Sequence, residues 1–97
     1  MSDFSIEQLA EIIRARRAAT GDTSYTRHLL DRGVAHIAQK VGEESTETVI
    51  AALSEDREAL RDEAADLIYH LLVLLEARDI KIEDVVNELE RRTGISG

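Results

Sequence analysis

Cysteine, proline and tryptophan are all absent from this chain of 97 residues, and glycine occurs only 5 times. Without cysteine there is neither a disulfide nor a thiolate metal site, which fits a reducing compartment. Without proline, and with so little glycine, few residues are left that would break a long helix. Basic residues are also in deficit: 12 Lys and Arg against 20 Asp and Glu leave a formal net charge of −8 and a pI near 4.8. A general nucleic-acid surface needs clustered Lys and Arg, so no nucleic-acid partner is expected. The same imbalance argues against a role on a membrane surface. The longest unbroken apolar runs, such as residues 71–75, are far too short to span a bilayer. The opening residues, Met1-Ser-Asp-Phe-Ser, lack the basic region and apolar stretch of a secretory signal, so a cytoplasmic location is expected. No Gly-rich loop has the P-loop spacing, and neither Ser-His-Asp nor Cys-His catalysis has support in the sequence.

What is present is the pattern of packed amphipathic helices: 43% of residues are hydrophobic and 33% charged. The length implies one domain over residues 1–97, small enough to be marginal alone. Four helical segments can be read. The first covers residues 6–19, with Ser5 as N-cap, Gln8 completing a capping-box pattern and Gly21 in the following break. The second begins near Tyr25 or Thr26, runs to about Leu53, and is interrupted at Gly33 and Gly42. If Gly33 is a break, the count becomes five. Ser54 is the expected cap of the third segment, which ends near Arg78. The fourth covers residues 82–92, with Ile82, Val85, Val86 and Leu89 as its buried face and Gly94 as its stop. Residues 67–75 are apolar nearly all round and must be covered on most sides, more than a chain this short can do alone. The expectation is therefore an all-α fold of four to five helices per chain, forming a shared bundle in a homodimer.

Two acid pairs carry the chemistry. Glu44-Ser-Thr-Glu47 and Glu63-Ala-Ala-Asp66 each place carboxylates three residues apart, one above the other on a helix face. If the two helices fold back on each other, four carboxylates converge. Such a cluster repels itself unless a cation occupies it, and an all-oxygen site suits Mg²⁺ or Mn²⁺. Chance pairs occur in a chain this acidic, and Glu55–Glu58 reads as a solvated helix start. The two motif pairs differ from it. Glu63 and Asp66 run into the most apolar stretch of the chain, and Glu43, Glu44 and Glu47 crowd together with only Lys40 as a nearby basic partner. At about 100° per residue, Lys40, Glu44 and Glu47 share a narrow sector beside the apolar stripe. Lys40 is thus either an ordinary ion-pair partner or an ammonium that holds a substrate phosphate. His70, one turn after Asp66, reads as a hydrogen-bonded core residue more readily than as a ligand, and Tyr25 and Tyr69 as packing more readily than as a platform for a base.

Lys40-Val-Gly-Glu-Glu-Ser-Thr-Glu47 with Glu63-Ala-Ala-Asp66 resembles the ExxE…ExxD signature of the all-α, MazG-like nucleoside-triphosphate pyrophosphohydrolases. Asp22-Thr-Ser-Tyr-Thr26, Ile37-Ala-Gln-Lys-Val-Gly-Glu-Glu44 and Ala65-Asp-Leu-Ile-Tyr-His-Leu-Leu-Val-Leu-Leu75 resemble one branch, the phosphoribosyl-ATP pyrophosphohydrolases of histidine biosynthesis. The resemblance runs from about Leu9 to Arg92. It implies Mg²⁺-dependent hydrolysis of phosphoribosyl-ATP to phosphoribosyl-AMP and pyrophosphate. It implies Glu44, Glu47, Glu63 and Asp66 as metal ligands, Lys40 and Arg16 as phosphate contacts, and Ser24, Tyr25 and Thr26 as a substrate loop. Glu43 or Glu47 would serve as the general base. Ser45-Thr46 departs mildly from the small apolar residues common there, on a side facing away from the acids. In some organisms this domain is fused to a cyclohydrolase, whereas here it is expected to stand alone. Two other readings stay open: a housekeeping pyrophosphohydrolase for other nucleotides, and a non-enzymatic acidic adaptor that binds a partner helix.

Overall fold

A computed structural model describes residues 3–94. Among them are five helices and no strand: α1 (Ile6–Ala18), α2 (Tyr25–Arg32), α3 (Val34–Ser54), α4 (Arg57–Ala77) and α5 (Ile82–Thr93). No helix among these residues is long and apolar enough to cross a membrane.

Local chemistry sets the boundaries. Ser5 Oγ accepts the Gln8 N–H at 3.0 Å and starts α1 where the sequence places it. Gly33 ends α2, its N–H donating to the carbonyls of Leu29 and Leu30. Its φ of +94° lies where L side chains are disfavoured, so the chain turns there and restarts as α3. Gly42 behaves differently from the expectation: α3 runs through it unbroken. Its neighbours keep the ladder intact, and one glycine weakens a 21-residue helix without breaking it. Ser54 is not the cap of α4. It is the last residue of α3, its hydroxyl donating to the Ile50 carbonyl, and Asp56 caps α4 by accepting the Ala59 N–H at 2.9 Å.

The short connection at Glu55 and Asp56 makes α3 and α4 a helical hairpin, the most extensive pairing in the fold. Ile13 of α1, Leu29 of α2, Ile37 of α3 and Leu72 and Val73 of α4 form the buried core, with Leu9, Tyr69 and Ile82 packed around it. The far end of α4 is tied to α1. Arg17 Nη1 lies 2.8 Å from the Glu76 carbonyl, Glu76 Oε2 and Asp79 Oδ1.

The α5 expectation is corrected in part. Ile82 packs on the core and Val85 is partly buried, but Val86 and Leu89 are about half exposed. Val49, Ile50 and Leu53 of α3 and Ile68 and Leu71 of α4 are exposed as well. The apolar stretch of α4 therefore keeps a face that the single chain does not cover.

Candidate active site

The hairpin brings one carboxylate of α3 against two of α4. Oxygen atoms of Glu44, Glu63 and Asp66 all lie within 4.8 Å of one another. They form a gradient of exposure: Glu44 is buried, Glu63 half-buried and Asp66 exposed. Glu44 is the residue that decides the character of the pocket. It is only 8% exposed, and its Oε2 has no hydrogen-bond partner among the described residues. A buried acceptor without a partner is costly, and buried charges are normally paired or bound to metal.

Burial raises the Glu44 pKa, and the charges of Glu47 and Asp66 raise it further. Burial also raises that of Glu63, followed by the charges of Glu47 and Glu44. Glu47 thus acts electrostatically on both, from an exposed position at the rim. The donor set is all oxygen, the mutual distances are short, and one oxygen is orphaned in the interior. These properties fit a hard divalent cation such as Mg²⁺ or Mn²⁺.

The other expected residues fall around this pocket in different ways. Glu43 is not brought into it: its carboxylate accepts Gln39 Nε2 at 3.0 Å and lies 3.6 Å from Lys40 Nζ. The Gln39 hydrogen bond and then the Lys40 charge hold Glu43 below the usual carboxylate range, a setting poorly suited to a base. Lys40 pairs with Glu43, not with Glu44. Ser45, Thr46 and Thr48 turn their hydroxyls onto the carbonyls of Val41, Gly42 and Glu44, four residues back in the same helix.

Ser24 caps α2 by accepting the Arg27 N–H at 3.2 Å, which sets Tyr25 and Thr26 in its first turn. Tyr25 and Thr26 meet α4 through His70 and Tyr69: the Tyr25 hydroxyl is 3.1 Å from His70 Nε2, and Thr26 Oγ1 is bonded to the Tyr69 hydroxyl. Arg16 lies on α1 beside this turn, 3.9 Å from Asp22 Oδ2. Asp22 was missed as a shaping residue. Its Oδ1 accepts the Ser24 N–H at 2.8 Å, and bonds from the Ser24 side chain and N–H hold its carboxyl below the ordinary range. The signal was available, because Asp two residues before Ser is an Asx-turn pattern. Arg27 was missed too: Nη1 donates to the Ala19 carbonyl at 2.6 Å and closes the same turn onto α1.

Fold and pocket together define an all-helical protein whose acidic pocket lies between the two arms of a helical hairpin, beside an aromatic turn. A sequence model of the family described as phosphoribosyl-ATP pyrophosphohydrolase matches residues 6–93. The chain belongs to the phosphoribosyl-ATP pyrophosphohydrolase family. It is 58% identical over 97 residues to phosphoribosyl-ATP pyrophosphatase 1 of Bradyrhizobium diazoefficiens, covering 100% of this chain and 92% of that protein. It is 55% identical to the phosphoribosyl-ATP pyrophosphatase of Nitrobacter winogradskyi, over 100% of this chain and 84% of that one. A relative of the same name from Pyrobaculum arsenaticum is 51% identical over 92 residues, 95% of this chain and 98% of its own.

Proposed function

We propose that the chain, acting as one domain over residues 1–97, hydrolyses phosphoribosyl-ATP to phosphoribosyl-AMP and pyrophosphate, the second step of histidine biosynthesis, with Mg²⁺ as cofactor. The observation that carries this reading is the buried Glu44 carboxylate, orphaned at Oε2 and grouped with Glu63 and Asp66, in a chain that the family matches over residues 6–93. Glu44, Glu63 and Asp66 would hold the cation, with Glu47 completing the ligand set from the rim. A bound Mg²⁺ supplies Lewis acidity toward the phosphoryl oxygens and lowers the pKa of a bound water.

The chain's own residues do the rest. The four acids bar the polyanionic substrate from the pocket until their charge is neutralised. Glu47, an exposed acid whose charge acts on both Glu44 and Glu63, accepts the proton of the attacking water; Glu43 is the weaker candidate because Gln39 and Lys40 already engage it. Lys40 and Arg16 offset charge on the phosphates, and the Ser24–Tyr25–Thr26 turn contacts the substrate beside them. The reading accords with a cytoplasmic protein.

A pyrophosphate-release assay with phosphoribosyl-ATP, run with and without Mg²⁺ and against a panel of nucleoside triphosphates, tests this. Turnover is expected with phosphoribosyl-ATP in Mg²⁺, and Asp66→Asn is expected to abolish it while helical circular dichroism persists. Equal turnover of the whole panel would point instead to a general nucleotide pyrophosphohydrolase. Near-normal activity of Asp66→Asn would remove Asp66 from the ligand set.

The same reading includes a homodimer. Leu53 is 82% exposed, and Val49, Ile50, Ile68 and Leu71 lie exposed on the same hairpin. A second copy would cover that surface. Sedimentation equilibrium is expected to give twice the chain mass, and Leu53→Asp with Ile50→Asp to shift it toward one chain. A monomeric wild type would refute the dimer.

A further inference from the structure

His70 is buried, 5% exposed, and the chemistry above makes no use of it. Both of its ring nitrogens are nevertheless engaged. Nδ1 lies 2.7 Å from the backbone carbonyl of Asp66. A carbonyl only accepts, so Nδ1 carries a hydrogen and donates it. In the neutral ring Nε2 is then an acceptor, and 3.1 Å away is the Tyr25 hydroxyl, which donates to it. Tyr25 is thereby divided. Its polar tip is held in the interior, while the residue as a whole is 50% exposed. Its ring stacks on Tyr69, with centroids 6.1 Å apart and planes 21° from parallel, and both rings meet His70 edge-on. The Thr26–Tyr69 bond closes the loop. Two residues of the first turn of α2 are thus bound to two consecutive residues of α4, one turn after an acid of the pocket.

We propose that His70 is a positioning residue: braced by the Asp66 carbonyl, it fixes the Tyr25 hydroxyl and so holds the exposed Tyr25 ring as a stacking face for the aromatic base of the substrate. A fixed aromatic face binds a base by stacking at little further entropic cost. This inference rests on the nucleotide reading of the site.

Three variants separate the links. Tyr25→Phe keeps the ring and removes the hydroxyl. His70→Asn keeps a donor near Nδ1 and removes the Nε2 acceptor. His70→Gln places an amide oxygen where Nε2 was. Tyr25→Phe and His70→Asn are each expected to raise KM for phosphoribosyl-ATP about threefold to tenfold with kcat within about twofold. The double variant is expected to be no worse than either single one, because both cut the same bond, and His70→Gln to recover most of the loss. A merely structural role would instead lower the melting temperature and leave KM alone. A second readout does not need turnover: ¹⁵N-histidine NMR of the metal-free protein is expected to show His70 protonated at Nδ1, with an Nε2 resonance that moves in Tyr25→Phe. A proton on Nε2 alone, or an Nε2 resonance and a KM both untouched by Tyr25→Phe, would overturn the proposal. Failure of wild-type protein to hydrolyse phosphoribosyl-ATP would sink the substrate reading, and the NMR result would still decide the role of His70.

Discussion

Replacing Glu44 by glutamine is expected to stabilise the metal-free protein and to remove its response to Mg²⁺. Glu44 is 8% exposed, its Oε2 is unpartnered, and two further carboxylates lie within 4.8 Å of it. A buried polar group left without a partner costs about 1–3 kcal/mol, and a hydrogen bond to a charged group is favourable by about 1.5–3 kcal/mol. Glutamine keeps the shape, removes the charge, and offers an N–H₂ to the neighbouring acids. Taking only about 1 kcal/mol as the net gain, the melting temperature of a domain this size should rise by roughly 4–8 °C. Mg²⁺ at a hundred times its Kd should stabilise the wild type by about 2.7 kcal/mol, an upward shift of roughly 10–20 °C. The two proteins are therefore expected to exchange order: the variant melts higher in EDTA and the wild type melts higher in Mg²⁺. Calorimetry at one fixed protein concentration reads both shifts, which matters because association makes melting concentration-dependent. If Glu44→Gln melts below wild type in EDTA, or still gains the full Mg²⁺ shift, the reasoning about this carboxylate fails.

Acidification offers a separate check. Glu44 and Glu63 have folded pKa values raised above the ordinary carboxylate value, by burial first and then by neighbouring acids. A carboxyl with a raised folded pKa contributes stability that is full below its unfolded pKa and lost as pH rises through the folded one. The contribution of this pocket in the metal-free protein is therefore expected to grow as pH falls from neutrality, while apparent Mg²⁺ affinity falls because protons compete. Melting curves and Mg²⁺ titrations across that range, compared between wild type and a Glu44→Gln/Glu63→Gln variant, isolate the effect, and a pH dependence identical in both would exclude it. Gly33→Ala is expected to cost about 1–3 kcal/mol through its backbone conformation alone, φ +94° with ψ 172°, since a Cβ there meets nothing within 4 Å. Urea denaturation measures it, and a neutral substitution would show that the α2–α3 turn relaxes.

Much of this architecture was legible because local signals and the fold agree. Ser5 with Gln8 marked the start of α1, and the two acid pairs marked faces of α3 and α4 of which the hairpin groups three acids, Glu44, Glu63 and Asp66, with Glu47 left exposed beside them. The misreadings arise where two residues compete for one local role. Ser54 and Asp56 are both good caps, and the structure chooses Asp56 because α3 keeps its last turn through Ser54. Gly33 and Gly42 look alike in sequence, but only Gly33 takes a positive φ. Val86 and Leu89 follow the periodicity of a buried face, yet periodicity specifies which side is apolar and not what covers it. Glu43 sits next to Glu44 in the chain, and one residue is about 100° of helix, enough to turn it toward Gln39 and Lys40. The ties among Tyr25, Thr26, Tyr69 and His70 join positions more than forty apart, for which a single sequence carries no spacing rule.

The hydroxyls of Ser45, Thr46 and Thr48 each own a single hydrogen, and each directs it to a carbonyl of its own helix. None of the three is left to solvate Glu44 or Glu47 from within. If the acid pocket is a cation site, it would work as a small ion exchanger, its charge state set by whichever cation the medium offers, proton or metal.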